Sequence, residues 1–305
     1  MKVDAILTAD LHIRGDVPIS RTDDFLQAQV IKLEFIKKLA EKHDCPVLIA
    51  GDIFNKAKSN PYEEAIAIQC LPDNCMGVPG QHDLPAHNIS DYKQSSLHVL
   101  ESAGKIDVLM LQRMVWHSPS LEESILIYGF PFGITVEEKE EKCEVFQNNF
   151  KIALIHQMIH KDHSIHQEVE STSGLSLLKR TNFDLIVSGD NHQPFTVRHK
   201  GKLLVNCGSM MRTTAAQMDY RPAVWLWNRE KNEVEPAYLP IEENVLSREH
   251  LDKKEKEDLR LSIFVDKIDS DFEIGISFKD NLEAYYYKNK TRKGVKEEVY
   301  EGMES

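Results

Sequence analysis

Five short segments of this chain bring carboxylate, imidazole and amide groups together. They are Asp10-Leu11-His12, Gly51-Asp52, Gly80-Gln81-His82-Asp83, His156-Gln157 and Gly189-Asp190-Asn191-His192. Imidazole and carboxylate are the ligand types that hold manganese, iron or zinc. Two divalent ions a few ångströms apart can grip both the attacking and the leaving oxygen of an in-line displacement at phosphorus. Asp52, rigidly placed after Gly51, suits a bridge between two ions. Asp10, His12 and His192 would complete one ion. Gln81, His156 and Asp190 would join Asp52 on the other. His82, beside a ligand but not needed as one, could give a proton or hydrogen bond to the leaving oxygen. Each piece alone has a bland reading. An Asp-x-His is common, Gly-Asp is usually a turn, and a lone His156 would more often be a satisfied histidine at a strand end. The argument rests on five motifs agreeing in order.

Something must bring these residues to one place. Each segment follows a strand-like run: AILTA, VLIA, MGVP, IALI and LIVS. In layered α/β folds, ligands gather in the loops beyond the carboxyl ends of strands. Asp10 and His12, on alternate positions of an extended segment, can both turn toward the same point, because side chains i and i+2 share a face. Residues 22–43 have helical spacing, with Phe25, Leu26, Leu33, Ile36, Leu39 and Ala40 on one stripe. Thr22 or Asp23 can cap the start, and Pro46 follows the end. Strand, helix and strand in that order imply a parallel pair with a right-handed crossover.

Helices are also predicted at 61–69 and 95–102. Strands are predicted at 106–111, 125–128, 152–155, 185–188 and 203–206. Residues 223–227 and 234–238 form a closing hairpin, and 136–147 a charged loop or short helix. Composition shifts near Glu243, so residues 1–243 are read as the catalytic domain and 244–305 as a short appendage. Within the appendage, 248–260 reads as a linker helix, 261–265 and 272–278 as strands, and 280–304 as a helix carrying Tyr285, Tyr286 and Tyr287.

The 305 residues suffice for a sizeable core. No run approaches a membrane span, and the opening MKVDAILTADLH reads as a strand rather than a signal peptide. Cys45, Cys70, Cys75, Cys143 and Cys207 are odd in number and fit no zinc spacing, so they are read as reduced thiols in a cytoplasmic or nucleoid-associated protein. His160, His163 and His166 lie in a polar, loop-like segment and are read as solvated. The net charge of −12 weighs against DNA, whose binding usually rests on positive charge neutralising phosphates. Bound metal ions would reverse the local sign. Local cations exist at Arg14, Arg21, Arg198, Lys200 and Lys202, and at Lys288, Lys290, Arg292 and Lys293.

The ordered motif set resembles the calcineurin-like metallophosphoesterase superfamily, whose pattern is Asp-x-His, Gly-Asp, Gly-Asn-His-Asp/Glu, His and Gly-His-x-His. Within it, the chain resembles the DNA double-strand-break repair nucleases of the SbcD type (the meiotic-recombination-eleven family). The residues that carry this are ADLHIRGD…RTDDF, AGDIFNKAKSNP, VPGQHDLP and NCGSMMRTTAAQMDYRPAVWLW. The resemblance spans about residues 1–240. It implies a four-layer α-β-β-α sandwich, two divalent ions (manganese, with magnesium as the alternative) and hydrolysis of DNA phosphodiesters in repair or recombination. It further implies an SMC-like, SbcC-type ATPase partner and a homodimer; from the lack of a long apolar run, no membrane association is expected. Carried across, Asp10, His12, Asp52, His156 and His192 match ligands, and His82 matches the catalytic histidine.

Three positions depart. The family asparagine is Gln81 here, and the first histidine of the last motif is Asp190. A histidine that some of these nucleases carry after the Gly-Asp-x-Phe run is Asn55. Gln81 keeps an amide oxygen, and Asp190 offers a hard ligand suited to manganese or magnesium. Two rival readings stay open. One is a phosphatase or small phosphodiesterase of the same superfamily. The other is a metal-degenerate scaffold without catalysis.

Overall fold

Alternation along the strands decides the architecture. In β1 (Ala5–Thr8), Ala5 and Leu7 join one apolar cluster and Ile6 joins another, as the pleat of a strand requires. The same switch occurs in β2 (Val47–Ile49), where Leu48 faces one way and Val47 and Ile49 the other. Fully buried strands of this kind need cover on both faces.

The computed structural model describes residues 2–110, 113–116, 124–136, 149–161, 171–249, 260–262 and 278–304. The chain divides into two units, Met1–Ser247 and Arg248–Ser305.

In the first unit, α1 (Phe25–His43) links β1 and β2, which pair in parallel as Ile6↔Val47 and Thr8↔Ile49. Asp24, rather than Thr22 or Asp23, caps α1 by accepting from the Gln27 N–H. Next come α2 (Pro61–Cys70), β3 (Cys75–Gly77), α3 (Ser96–Ser102) and β4 (Asp107–Val108). Asn60 and Glu63 close a capping box on α2. The second half contains β5 (Arg113–Trp116), β6 (Ile125–Phe130), β7 (Phe150–His156), β8 (Ile159–His160), β9 (Thr172–Ser173) and α4 (Gly174–Arg180). It continues through β10 (Leu185–Gly189), β11 (Phe195–His199), β12 (Lys202–Asn206), β13 (Ala223–Asn228) and β14 (Glu233–Tyr238).

Two six-stranded sheets result, ordered β14-β13-β1-β2-β3-β4 and β11-β12-β10-β7-β6-β5. In each, four neighbouring strands are parallel: β1 to β4 in one, and β12, β10, β7 and β6 in the other. Leu7, Leu48, Met76, Ile127, Leu154 and Val187 fill the layer between the sheets. Helices α1 to α3 pack on the outer face of the first sheet, through Leu33, Ile36, Ile66 and Leu97. Helix α4 covers the other sheet, with Leu177 and Leu178 against Ile155, Ile186 and Leu204. This is the four-layer α-β-β-α sandwich. Strand β11 and helix α4 were not anticipated. Phe195–His199 is only half buried and lacks a fully apolar face, so hydrophobic pattern alone does not mark it.

In the second unit, α5 (Phe278–Lys288) and α6 (Lys293–Glu304) stand where one helix was expected. Leu282 and Tyr286 are buried against Val299 and Tyr300, whereas Tyr287 is exposed. Leu261 and Ser262 are helical where a strand was expected. Residues 137–148, 251–259, 263–270 and 271–277 lie outside the described residues, with the expectations placed on them.

Candidate metal centre

The five motifs meet beyond the carboxyl ends of β1, β2, β3, β7 and β10. Asp10 and His12 lie two and four residues past β1, Asp52 three past β2, and Gln81 and His82 in the turn after β3. His156 ends β7, and Asp190 and His192 directly follow β10. Main-chain bonds fix the first two loops to each other: Asp10 N–H to Gly51 O and His12 N–H to Asp52 O, both at 3.0 Å.

Asp10 and His12 do converge, but not along an extended segment. Their φ angles are 51° and 46°, and those of Asp52 and Asp190 are 50° and 80°. Left-handed backbone at residues other than glycine costs about 1–3 kcal/mol each and concentrates at functional sites. Two glycines make room for this packing. A Cβ at Gly51 would collide with the His156 ring, and one at Gly80 with the Asp52 carboxylate.

The ligand atoms of Asp10, His12 and His192 lie close enough together to share an ion, as do those of Asp10, Asp52 and His156. A third such group is His12, Asp52 and His82. His12 Nε2 is 3.1 Å from His192 Nε2 and 3.7 Å from Asp52 Oδ2. His156 Nε2 is 3.4 Å from that same Asp52 oxygen. Gln81 and Asp190 stand together, with the Gln81 amide donating to Asp190 Oδ1 at 2.8 Å. Asp190 belongs to none of the convergent groups among the described residues.

Hydrogen bonds assign the tautomers. His156 Nδ1 lies 2.7 Å from Ala50 O, which can only accept, so Nδ1 carries the proton. A neutral His156 therefore presents a lone pair to the Asp52 carboxylate. Asp52 Oδ2, His156 Nε2, His12 Nδ1 and Gln81 Oε1 are all buried without a hydrogen-bond partner. Asp52 Oδ2 and the Nε2 of a neutral His156 are acceptors facing one another, which is costly. Only protons or a cation resolve the conflict, so the residues fit a bound divalent metal.

The electrostatics agree. Burial pushes the Asp10 carboxyl up to about 8, helped by repulsion from Asp52 and offset in part by His156. Burial holds His12 down at about 3, against the pull of Asp52, and it also lowers His192. Burial alone would raise Asp52, but His156 and His12 hold it below the usual carboxylate range. His156 is raised in return, because Asp52 outweighs the effect of burial. A metal ion would take the place of the shared protons.

Supporting residues escaped the sequence reading. Asp83, fully buried, accepts the N–H groups of Ile53, Phe54 and Gly80 at 3.1, 2.9 and 3.0 Å and so ties the loop of Asp52 to the loop of Gln81. Asn206, also fully buried, donates to the carbonyls of Asn191 and Gln193 at 2.6 and 2.8 Å and accepts from Ser188. It holds the loop that carries Asp190 and His192. Asn55 supplies its carbonyl to His82 Nδ1 at 3.0 Å. Among the tempting histidines, His160 is half-buried and within 3.0 Å of Ser171, and His163 and His166 lie outside the described residues. Cys45, Cys70, Cys75 and Cys207 are buried free thiols.

The sequence profile of the calcineurin-like phosphoesterases matches residues 5–194, the stretch that contains all five motifs. The chain belongs to the calcineurin-like phosphoesterase family. A Staphylococcus aureus protein described as a 5′-nucleotidase shares the fold. It is 14% identical with a TM-score of 0.50, over 83% of this chain and 58% of its own. An archaeal phosphodiesterase is 13% identical, covering 77% of this calcineurin-like phosphoesterase and 99% of itself with a TM-score of 0.39. The phosphopantetheinyl hydrolase of Mycobacterium tuberculosis is 13% identical, with 68% and 91% covered and a TM-score of 0.42. Among proteins of curated function, none matches. No helix among the described residues of this calcineurin-like phosphoesterase is long and apolar enough to cross a membrane.

Proposed function

We propose that this calcineurin-like phosphoesterase is a metal-dependent DNA nuclease of the SbcD type. The observation that carries the metal-dependent hydrolysis is the unpartnered Asp52 Oδ2 facing the unpartnered His156 Nε2. Asp10, His12 and His192 would hold one divalent ion, and Asp52, His156 and Gln81 the other, with Asp52 between them. Bound there, the ions would polarise the phosphodiester and offset its charge. The oxygen donors favour manganese or magnesium.

His82 is the residue for the leaving oxygen. With Nδ1–H engaged by Asn55 O, its Nε2 is left for the leaving oxygen, and a proton there assists departure. Its main-chain N–H donates to Asp52 Oδ1 at 2.9 Å, which locks His82 in place relative to the ligands.

DNA as the substrate is supported by the likeness of residues 1–240 to the repair nucleases. The Gly208–Arg212 turn of that likeness packs behind the site: Met210 N–H bonds Asp10 O at 3.1 Å, and Ser209 N–H bonds His192 O at 3.2 Å. An SbcC-type ATPase and a second copy of this chain are the proposed partners.

A second reading, a small-substrate phosphodiesterase or phosphatase, draws on one observation. Several cations suited to a DNA track are engaged internally: Arg14 with Asp16, Arg21 with Asp23, Arg198 with Asn232 O and Lys202 with Thr181 O. The deciding assay offers linear and hairpin DNA, and a chromogenic phosphodiester, with manganese, magnesium or zinc. DNA degradation that needs metal and is lost in His82→Ala supports the nuclease. Turnover of the small diester alone, with and without an added SbcC-type ATPase, supports the second reading. Absence of all turnover would leave a scaffold.

A further inference from the structure

We propose that Gln81 and Asp190 act as one hydrogen-bonded unit that makes the Asp52–His156 half of the centre selective for hard ions such as manganese. In this unit Asp190 is a positioning residue and not a ligand. The inference rests on the metal-centre reading above.

A carboxylate accepts only, so Asp190 Oδ1 must take the NH₂ of the Gln81 amide, as it does at 2.8 Å. That bond forbids the flipped amide. Gln81 Oε1 is then left buried and unpartnered, a fixed dipole with no donor to meet. Gln81 sits between Gly80 and His82, both of which abut the Asp52 carboxylate. Asp190 is itself held, because its main-chain N–H donates to both oxygens of Asp10 at 3.1 and 3.2 Å.

The two halves of the centre consequently differ in chemistry. Asp10, His12 and His192, with the bridging Asp52, offer two oxygens and two nitrogens. Asp52, His156 and Gln81 offer two oxygens and one nitrogen, and the negative charge of Asp190 polarises the amide further. Imidazole-rich sites suit zinc and iron, while carbonyl and carboxylate oxygens suit manganese and magnesium. Partners that orient a ligand from behind typically change metal affinity by about 10- to 100-fold.

The test is calorimetric titration of chelator-stripped protein with manganese and, separately, with zinc. Wild type is compared with Gln81→Ala, Asp190→Ala, Asp190→Asn and the double alanine variant, with folding checked by circular dichroism. The expected result is two manganese equivalents in wild type, one of them weakened by about 10- to 100-fold in either alanine variant. The double variant is then no worse than the singles, Asp190→Asn is milder because its side-chain oxygen still accepts, and zinc loses less than manganese. Asp190→Asn as damaging as Asp190→Ala, with losses that add in the double variant, would make Asp190 a direct ligand and overturn the unit. Unchanged manganese binding in every variant would overturn it as well, with the metal centre intact. A wild-type protein that binds no manganese would overturn the metal-centre reading itself.

Discussion

His156 Nε2 and Asp52 Oδ2 face each other at 3.4 Å inside the protein, and with a neutral ring both are acceptors without a donor. Ala50 O commits the other histidine nitrogen as a donor, so the ring cannot turn its proton toward the carboxylate without becoming charged. This relationship calls for one positive charge at this point, which a second ring proton or a metal ion supplies. A ligand that binds the folded state alone stabilises it by mass action, by about 2.7 kcal/mol when present at about 100 times its Kd. For a protein of this size the melting temperature should rise by roughly 4–5 °C. Differential scanning fluorimetry with chelator and then with manganese measures it. Asp52→Asn should lose most of the rise, because the amide brings a competing donor and removes the charge. An equal rise in the variant would place the ion elsewhere.

His82 should separate binding from chemistry. Its ring is held by Asn55 O and its main chain by Asp52, but the two halves of the centre keep their other ligands without it. His82→Ala is therefore expected to slow phosphodiester turnover by about 100- to 10,000-fold, the usual contribution of a positioned acid or base. Its manganese stoichiometry should stay that of wild type. Steady-state turnover alongside metal analysis of the purified variant decides the point. Loss of an ion would move His82 into the ligand set, where its proximity to His12 and Asp52 would also allow it.

The ligands were legible because they follow strands whose apolar runs are unmistakable, such as Ile152 to Ile155 ahead of His156 and Leu185 to Ser188 ahead of Asp190. The sandwich was legible from the likeness of the motif order. What could not be read is the part that depends on residues distant in sequence. Asp83 looks like one more loop aspartate until its carboxylate is seen tying the main chain of residues 53, 54 and 80 together. The left-handed backbone of Asp10 and His12 follows from cross-loop hydrogen bonds to Gly51 and Asp52, and no local propensity foretells it. The pairing of Gln81 with Asp190 joins residues 109 positions apart. Each departs from the family pattern on its own, and only the fold shows that they meet.

Asn206 should matter to both stability and the centre. Its side chain satisfies Asn191 O, Gln193 O and the Ser188 hydroxyl, all within the loop and strand that present Asp190 and His192. Asn206→Ala leaves buried polar groups unpaired, which costs about 1–3 kcal/mol. Urea denaturation should show that loss. Manganese affinity should fall as well, by about 10-fold, because the loop behind the ligands loosens. A variant that is destabilised yet binds metal as tightly as wild type would confine Asn206 to folding.

Lys32 gives the protein a pH dependence from behind the turn that backs the ligands. It is 2% exposed, and its ammonium reaches Met210 O at 3.4 Å. Burial, and then repulsion from Arg21 and Arg212, hold it down at about 7 against the attraction of Asp23. The unfolded chain has an ordinary lysine with a value of 10.5. Between those two values the unfolded state binds more protons, so folding stability rises with pH. Below about 7 the full cost of the buried charge is present, and it fades as pH climbs toward 10.5. The slope from this group approaches about 1.4 kcal/mol per pH unit inside the window. Lys32→Met, which keeps the stem and drops the charge, should be more stable than wild type at pH 6. The advantage should shrink steadily by pH 9. Urea unfolding of both proteins at several pH values measures it. A constant difference across that range would mean that the Lys32 ammonium remains protonated in the folded protein throughout.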